Sequence, residues 1–233
     1  MLRDRRVRTQ QDVRVFGKVD RDDALGLRLM AGGFGVGSTL FALGAVMSTL
    51  DWHGANATYA LGAIFFTAAA TVQWRTAVRH DPAHHSVMDI AERDFANPDW
   101  LAAVIQLLGT LYFNVMTIRA LSIALDSPVE FNQQVWRPDM YGSAAFLVSS
   151  AIAVHPVARL RRHRLVRGRS RVIAWSNMAG SVFFGISAVA GKLIAPGTLN
   201  NAFWTNMGTL LGALMFLLAA VLLWPPHHRP AHP

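Results

Sequence analysis

The sequence contains no cysteine and few charged residues. The absence of cysteine from its 233 residues excludes a disulfide framework, thiol catalysis and a cysteine-based zinc site. Asp, Glu, Lys and Arg make up 15% of the chain, whereas soluble domains usually carry about 25%. Hydrophobic residues make up 52%. Because so few charges cannot cover the surface of a soluble fold, we expect a membrane protein.

Six long stretches have no Asp, Glu, Lys or Arg in their interior, and a membrane-spanning helix needs about 20 mostly apolar residues. The stretches are residues 29–50, 55–74, 100–118, 140–157, 172–190 and 202–224. They are apolar all round, unlike the amphipathic helices of soluble bundles. We therefore predict an all-α polytopic membrane protein with six transmembrane helices arranged as three hairpins. This domain, residues 29–224, lies between a basic N-terminal segment, residues 1–28, and a Pro/His-rich tail, residues 225–233.

The basic residues are distributed unevenly between the two sides of these predicted helices. Of the 22 Lys and Arg residues, 19 lie on the side that carries both termini, and three lie on the other side: Arg119, Arg137 and Lys192. Cytoplasmic loops carry an excess of Lys and Arg. We therefore expect a multi-pass protein of the bacterial inner (plasma) membrane with both termini in the cytoplasm. All seven tryptophans lie at or near predicted helix ends, as interfacial anchors do.

A short motif recurs in the predicted helices: a Gly, a small residue, and a Phe four residues after the Gly. Gly and Phe at this spacing share one helix face. Gly leaves a hollow for a neighbouring helix, and Phe supplies the bulk to fill one, so we expect a packing layer of phenylalanines. In the sixth helix, Gly208 aligns with the motif, Gly212 takes the Phe position, and Ala213 is expected to face lipid. The motif residues are Gly37, Phe41, Gly62, Phe66, Gly109, Phe113, Gly142, Phe146, Gly180, Phe184 and Gly208.

Three local patterns resemble those of YrhK-like proteins, which are small bacterial membrane proteins built from short hydrophobic hairpins. The patterns are the Gly-Ser-x-x-Phe helices, Trp136-Arg137-Pro138-Asp139 before the fourth helix, and Trp204-Thr-Asn-Met-Gly208-Thr in the sixth. The resemblance covers the third to sixth helices best and the first partly. It covers neither the basic N-terminus nor residues 75–99. It implies a membrane protein of undefined role and carries over no catalytic residue.

Several polar residues lie near the ends of the predicted helices on the side away from the termini. They are Asn114, Thr117, Arg119, Asp139, Lys192, Thr205 and Asn206. Polar groups at membrane depth need partners and often mark sites. Arg119 and Asp139, on adjacent helices at the same boundary, are close enough in this arrangement to pair and to line a vestibule for a small anion or solute. We favour the alternative, interfacial anchoring by snorkelling side chains together with hydrogen bonds between helices, because no charge lies deep in the predicted membrane segments.

Histidines form the only candidate metal site. His80, His84 and His85 follow the second helix, and a second group, His227, His228 and His232, lies in the tail. Histidine clusters can bind metals, so a metal-dependent lipid-modifying enzyme is one alternative function. Solvated loop histidines are the other interpretation. We expect no catalytic residue and no cofactor.

The arginines between residues 159 and 171 indicate what this chain binds at the membrane surface. They lie in a short connection between two predicted spans, next to the bilayer surface. Anionic lipid headgroups attract such a run by about 1 kcal/mol per basic residue. We therefore expect Arg159–Arg171 to contact lipid rather than nucleic acid, while homo-oligomerisation stays open. The sequence favours a non-enzymatic membrane protein, with a small-solute transporter or channel as the role to test.

The predicted orientation can be tested with single cysteines, because the chain has none of its own. We expect cysteines placed at Gly54, Gln133 and Thr198 to react with an impermeant thiol reagent in intact cells. Cysteines at Ser86, Gly168 and Pro230 should react only after the membrane is permeabilised. Labelling of the Gly168 position in intact cells would contradict the orientation.

Overall fold

The computed structural model describes residues 21–79, 98–123, 125–159 and 168–225. Helices account for most of these residues, with one short strand pair near the end. In chain order the elements are α1 (Arg21–Thr49), α2 (Ala55–Arg79), α3 (Pro98–Arg119), α4 (Pro128–Phe131), a π-helical turn (Asn132–Trp136), α5 (Arg137–Arg159), α6 (Gly168–Ala190), β1 (Leu193–Ala195), β2 (Thr198–Leu199) and α7 (Ala202–Leu223). The two strands pair antiparallel.

The helices extend beyond the apolar stretches from which they were predicted. α1 begins at Arg21 and α2 ends at Arg79, because Arg, Leu and Ala are good helix formers whether or not they lie in the bilayer. Before α5 the chain is already helical from Pro128. Ser127 caps this segment, since its side chain accepts a hydrogen bond from the Glu130 N–H, and Pro128 occupies the first turn.

The six long helices form a closed bundle in chain order. Each packs against its neighbours in sequence, and α7 packs back against α1. Among the described residues, five helices are long and apolar enough to cross a membrane: Ala24–Thr49, Ala55–Val78, Pro98–Arg119, Gly168–Ala190 and Ala202–Leu223. The protein is therefore of the all-α, multi-pass membrane type. α5 is not among these five helices, so a sixth span stays a prediction.

Interlocking of glycine and phenylalanine joins α1 to α2. A Cβ atom placed on Gly37 would lie 2.9 Å from the Phe66 ring, and one placed on Gly62 would lie 2.7 Å from the Phe41 ring. Each helix thus inserts its phenylalanine into the hollow at the other helix's glycine. α3 and α5 interlock in the same way. A Cβ atom placed on Gly109 would lie 2.8 Å from the Phe146 ring, and one placed on Gly142 would lie 2.8 Å from the Phe113 ring.

The third pair, α6 and α7, corrects the motif assigned from the sequence. A Cβ atom placed on Gly180 would lie 2.9 Å from the Phe216 ring, and one placed on Gly212 would lie 2.5 Å from the Phe184 ring. The motif of α7 is therefore Gly212-Ala213-x-x-Phe216, and the placement of Gly208 in this layer is wrong. Gly208 makes a different close approach, to the Phe183 carbonyl oxygen of α6.

The expectation that Ala213 faces lipid is also wrong, because this residue is fully buried at 0% exposure. It occupies the small-residue position directly after the motif glycine. The residues at that position are buried in all six helices: Ser38, Ala63, Thr110, Ser143, Ser181 and Ala213. Two of the hydroxyls bond to the neighbouring helix, Ser143 to the Phe184 carbonyl and Ser181 to the Phe146 carbonyl.

Six phenylalanine rings meet on the axis of the bundle, and we call them the phenylalanine cluster. Within each helix pair the two ring centroids are 5.1–5.4 Å apart. Phe41, Phe113 and Phe184 form one triad, with centroids 5.8–6.2 Å apart. Phe66, Phe146 and Phe216 form a second triad at 5.5–6.2 Å. The rings therefore stand at the corners of a triangular prism, with one helix pair along each long edge.

Glycine substitutions on α6 test this interlocking. At Gly180 an alanine Cβ would lie 2.9 Å from the Phe216 ring and 3.0 Å from the Gly212 carbonyl oxygen, whereas at Gly185 it would meet no atom within 4 Å. Overpacking typically costs about 1–3 kcal/mol, and alanine is otherwise the better helix former. We expect Gly180→Ala to lower the melting temperature in detergent and Gly185→Ala to leave it unchanged or higher. Equal melting temperatures for the two variants would contradict the interlock.

Candidate functional site

Two cavities lie on the axis of the bundle, on opposite sides of the phenylalanine cluster. We call the end of the bundle that carries residues 50–54 and 191–201 the loop end, and the opposite end, where α1 begins and α7 ends, the terminal end. The loop-end cavity has a volume of about 610 Å³, and Phe41, Phe113 and Phe184 line its floor. The terminal-end cavity has about 220 Å³ and reaches Phe216 of the other triad.

The loop-end cavity extends from the buried core to the surface. Its floor residues are buried, while Asp51, Trp52 and Asn56 at its mouth are exposed. The volume lies in the range of about 300–1,000 Å³ that is usual for small-molecule sites. The cavity is therefore large enough for a small organic solute.

Repeated positions of the three helix pairs line this cavity with different side chains. Seven residues before the phenylalanines of α2, α5 and α7 stand Tyr59, Asp139 and Thr209, and all three line the cavity. Ten residues before the same phenylalanines stand Asn56, Trp136 and Asn206, which line it as well. The core below is the same in each pair, whereas the cavity wall differs from pair to pair.

Asp139 is the carboxylate inside this cavity. It lies in the first turn of α5, directly after the π-helical turn. Its side chain is half-buried and lines the cavity, and it makes no hydrogen bond or ion pair with any described residue. Arg119, the candidate partner named from the sequence, is exposed and does not pair with it. A carboxylate that has no partner among the described residues and lies in a partly desolvated site favours a ligand that can pair with it.

Two aromatic side chains of the wall are held in place from behind. The Tyr59 ring fills the hollow at Gly44 and packs on Phe41, with centroids 5.5 Å apart, and its hydroxyl lies 3.5 Å from the Ser48 hydroxyl. Trp136 donates its indole N–H to the Ala188 carbonyl oxygen at 2.8 Å, which joins the start of α5 to α6. These contacts fix the rings beside Asp139 on the wall.

The structure separates the polar residues that were candidates for a vestibule. Asp139 and Asn206 line the cavity, as do Thr117 and Thr205. Asn114 instead donates to the Thr67 hydroxyl and the Ala63 carbonyl of α2, so it joins two helices. Lys192 is exposed, with its ammonium 5.3 Å from the centroid of the Trp136 ring.

Hydrogen bonds connect the loops around the mouth. The Asn132 side chain binds both backbone polar groups of Leu193, at 2.8 and 2.9 Å. The Gly197 N–H donates to the Leu125 carbonyl at 2.7 Å. The Asn56 amide donates to the Ala120 carbonyl at 2.7 Å. The π-helical turn, the strand pair and the end of α3 thus form one connected rim.

Sequence reasoning missed the lining residues Tyr59, Trp136 and Thr209, although a signal for them was present. With α7 aligned on Gly212 and Phe216, a step of seven residues from each phenylalanine toward the loops reaches Tyr59, Asp139 and Thr209 together. The alignment on Gly208 hid this relation because it shifted α7 by one helical turn.

Carboxamide side chains characterise the terminal-end cavity. Gln73, Gln106 and Asn177 line it, each from a different helix. The Gln106 side-chain oxygen accepts a hydrogen bond from Ser149 at 3.3 Å. The Gln73 side-chain oxygen is buried and accepts no hydrogen bond from a described residue. This cavity therefore offers polar groups to a solute at the end of the bundle opposite Asp139.

The predicted metal and lipid sites fall largely outside the described residues. His80, His84, His85 and the histidines of the tail lie there, as do residues 160–167 of the arginine run. In the described part of the chain, no group of three or more His, Cys, Asp or Glu residues could hold a metal ion. Arg169 donates to the Leu222 and Trp224 carbonyls, so it caps the end of α7.

Comparison with known proteins assigns no relative. No family model matches the chain, and no curated protein or solved structure matches it significantly.

The unpaired Gln73 oxygen leads to a stability prediction. Leaving a buried acceptor without a partner costs about 1–3 kcal/mol, so Gln73→Leu should raise the melting temperature or leave it unchanged. Asn114→Leu, which loses the bonds between α3 and α2, should lower it. The measurement is thermal unfolding in detergent. A loss of stability in Gln73→Leu as large as that in Asn114→Leu would contradict this account of Gln73.

Proposed function

We propose that this protein is a non-enzymatic, multi-pass inner-membrane protein that carries a small solute across the bilayer through its two axial cavities. The observation that supports this function is the position of the phenylalanine cluster between the two cavities. A cavity on each side of a central barrier is the arrangement that translocation requires. The resemblance to YrhK-like proteins agrees with a membrane role and adds no activity to it.

Six spans are part of this proposal. α5 packs between α3 and α6, and it contributes Phe146 to the same triad as Phe66 and Phe216. A helix that reaches the shared cluster at this depth is placed to cross the bilayer with its neighbours. Because most of the Lys and Arg residues that the structure describes lie at the terminal end, we assign that end to the cytoplasm. The loop-end cavity then faces the outside.

The phenylalanine cluster acts as the barrier in this proposal. Apolar constrictions can block a pathway by excluding water. The two triads place two layers of rings across the axis, and the rings are buried. A solute passes only when rings rotate or when the helix pairs shift relative to one another. Such motions take place on microsecond to millisecond timescales.

No observation in the described residues favours the alternative, a metal-dependent lipid-modifying enzyme. That function depends on His80, His84 and His85, which lie outside the described part of the chain. Stoichiometric iron or zinc that is lost on His84→Ala and His85→Ala would support it.

Flux through proteoliposomes tests the carrier function. Purified protein is reconstituted, and the release of trapped glycerol, choline and acetate is measured for the wild type and two variants. Phe66→Ala removes ring contacts worth about 0.5–1.5 kcal/mol each, so we expect roughly a tenfold faster release. Phe65→Ala is the matched control, because Phe65 is the adjacent residue but is 40% exposed at the outside of the bundle.

Both variants must first elute as folded protein with the wild-type melting profile or a modestly lowered one. Protein-dependent release of at least one solute, accelerated by Phe66→Ala and not by Phe65→Ala, is the expected result. Release no faster than from protein-free vesicles, for the wild type and for Phe66→Ala alike, would rule out the carrier function.

A further inference from the structure

We infer that the loop-end cavity binds a small organic monocation, which pairs with Asp139 and lies against the aromatic wall. This inference deepens the proposed function, since it names the class of solute that the same cavity takes. Three independent features support it: the charge of the lining, the aromatic side chains, and the place of Asp139 in the repeated pattern.

The charge of the lining is negative although the chain carries a net charge of +8. Among the described lining residues, the two that carry a formal charge are Asp51 at the mouth and Asp139 inside. Arg119 is exposed and does not line the cavity. Lys192 is also exposed and is not a lining residue, and its ammonium lies 5.3 Å from the centroid of the Trp136 ring. A cation entering the cavity thus passes one carboxylate and reaches a second.

Asp139 has no other partner in the described part of the chain. Its carboxylate accepts no hydrogen bond there, and the other polar side chains of the wall, such as Asn206 and Thr205, are uncharged. A carboxylate removed from bulk water is stabilised by an opposite charge. The ligand's positive charge would supply it.

The aromatic wall favours an organic cation over a metal ion. Trp52, Tyr59 and Phe131 line the cavity above the phenylalanine floor, and so does Trp136, whose ring already has the Lys192 ammonium over it. Aromatic faces attract a cation that lies within about 6 Å of the ring centroid, and quaternary ammonium groups are recognised in this way. Ca²⁺ and Mg²⁺ instead require about six or more oxygen ligands. A single inner carboxylate in a cavity of about 610 Å³ does not provide that arrangement.

The repeated pattern shows that packing does not require a carboxylate at this position. Asp139 stands seven residues before Phe146, and the equivalent residues of the other two pairs are Tyr59 and Thr209. Those pairs interlock in the same way with neutral side chains. The carboxylate is therefore a feature of the cavity and not of the helix pair that carries it.

Binding of matched cationic and neutral probes tests this inference. The probes are choline and tetraethylammonium, with dimethylbutanol as the neutral isostere of choline, in which carbon replaces the charged nitrogen. Binding to the full-length protein in detergent is measured by calorimetry and by tryptophan fluorescence, since Trp52 and Trp136 line the cavity. We expect at least one cation to bind saturably. The affinity for choline should exceed that for dimethylbutanol by about tenfold or more.

Asp139→Asn should weaken cation binding by about tenfold or more while the melting temperature is kept. Asp126→Asn is the matched control, since Asp126 is exposed near the same end of the bundle and does not line the cavity. This control should bind like the wild type. The wild-type comparison of choline with dimethylbutanol remains decisive if Asp139→Asn does not fold.

Equal affinities for choline and dimethylbutanol, or no binding of either cation, would overturn the inference. Unchanged cation binding in a folded Asp139→Asn variant would overturn it as well. Failure of the carrier function gives a different result: the cation binds and depends on Asp139, but no solute is released from proteoliposomes. If the protein releases glycerol but binds no cation, the carrier function is kept and the inference about the cation is rejected.

Discussion

Packing of each helix's phenylalanine against the glycine of its partner helix, in both directions across each pair, is the contact on which this structure depends. At Gly37, Gly142 and Gly180 the partner's ring occupies the space that a side chain would need, and the partner's glycine carbonyl lies beside it at 3.0–3.1 Å from an added Cβ. In a bilayer, lipid chains are as apolar as the side chains, so helix association relies on close packing rather than on hydrophobic burial. Many small dispersion contacts provide the energy of this close packing, and they are lost when the helix surfaces are held apart.

Closure of the axis follows from having three such pairs. Each pair brings two rings to the same depth, and six rings in contact fill the space between the helices. The buried small residue after each motif glycine lets the pairs approach one another, and Ser143 and Ser181 join neighbouring pairs through their hydroxyls. The axis is therefore solid at its centre, and space remains only above and below the rings.

The helix pairs differ most clearly at the two ends of the bundle, where the cavities lie. At the loop end, equivalent positions carry Tyr59, Asp139 and Thr209. At the terminal end, equivalent positions seven residues before the phenylalanines of α1, α3 and α6 carry Phe34, Gln106 and Asn177. A repeated core with varied ends keeps the packing constant while the side chains that line the two cavities differ.

Local patterns were enough to predict the helices and most of the packing residues. Apolar stretches of sufficient length indicate helices regardless of their neighbours, and the four-residue spacing of Gly and Phe places both on one face. The same periodicity could not set the register of α7, because Gly208 and Gly212 share a face and both approach α6. Only the partner helix distinguishes them, since Phe184 packs on Gly212 while the Phe183 carbonyl approaches Gly208.

The candidate site depended still more on tertiary structure. The sequence alone determined that Asp139 and Arg119 lie at the same end of neighbouring helices. Whether they meet depends on the rotation of α3 and α5 about their axes, which the Phe113–Gly142 and Phe146–Gly109 contacts set. That rotation leaves Arg119 exposed and Asp139 on the cavity wall. The cavity itself is a property of six helices together, because no single helix encloses space.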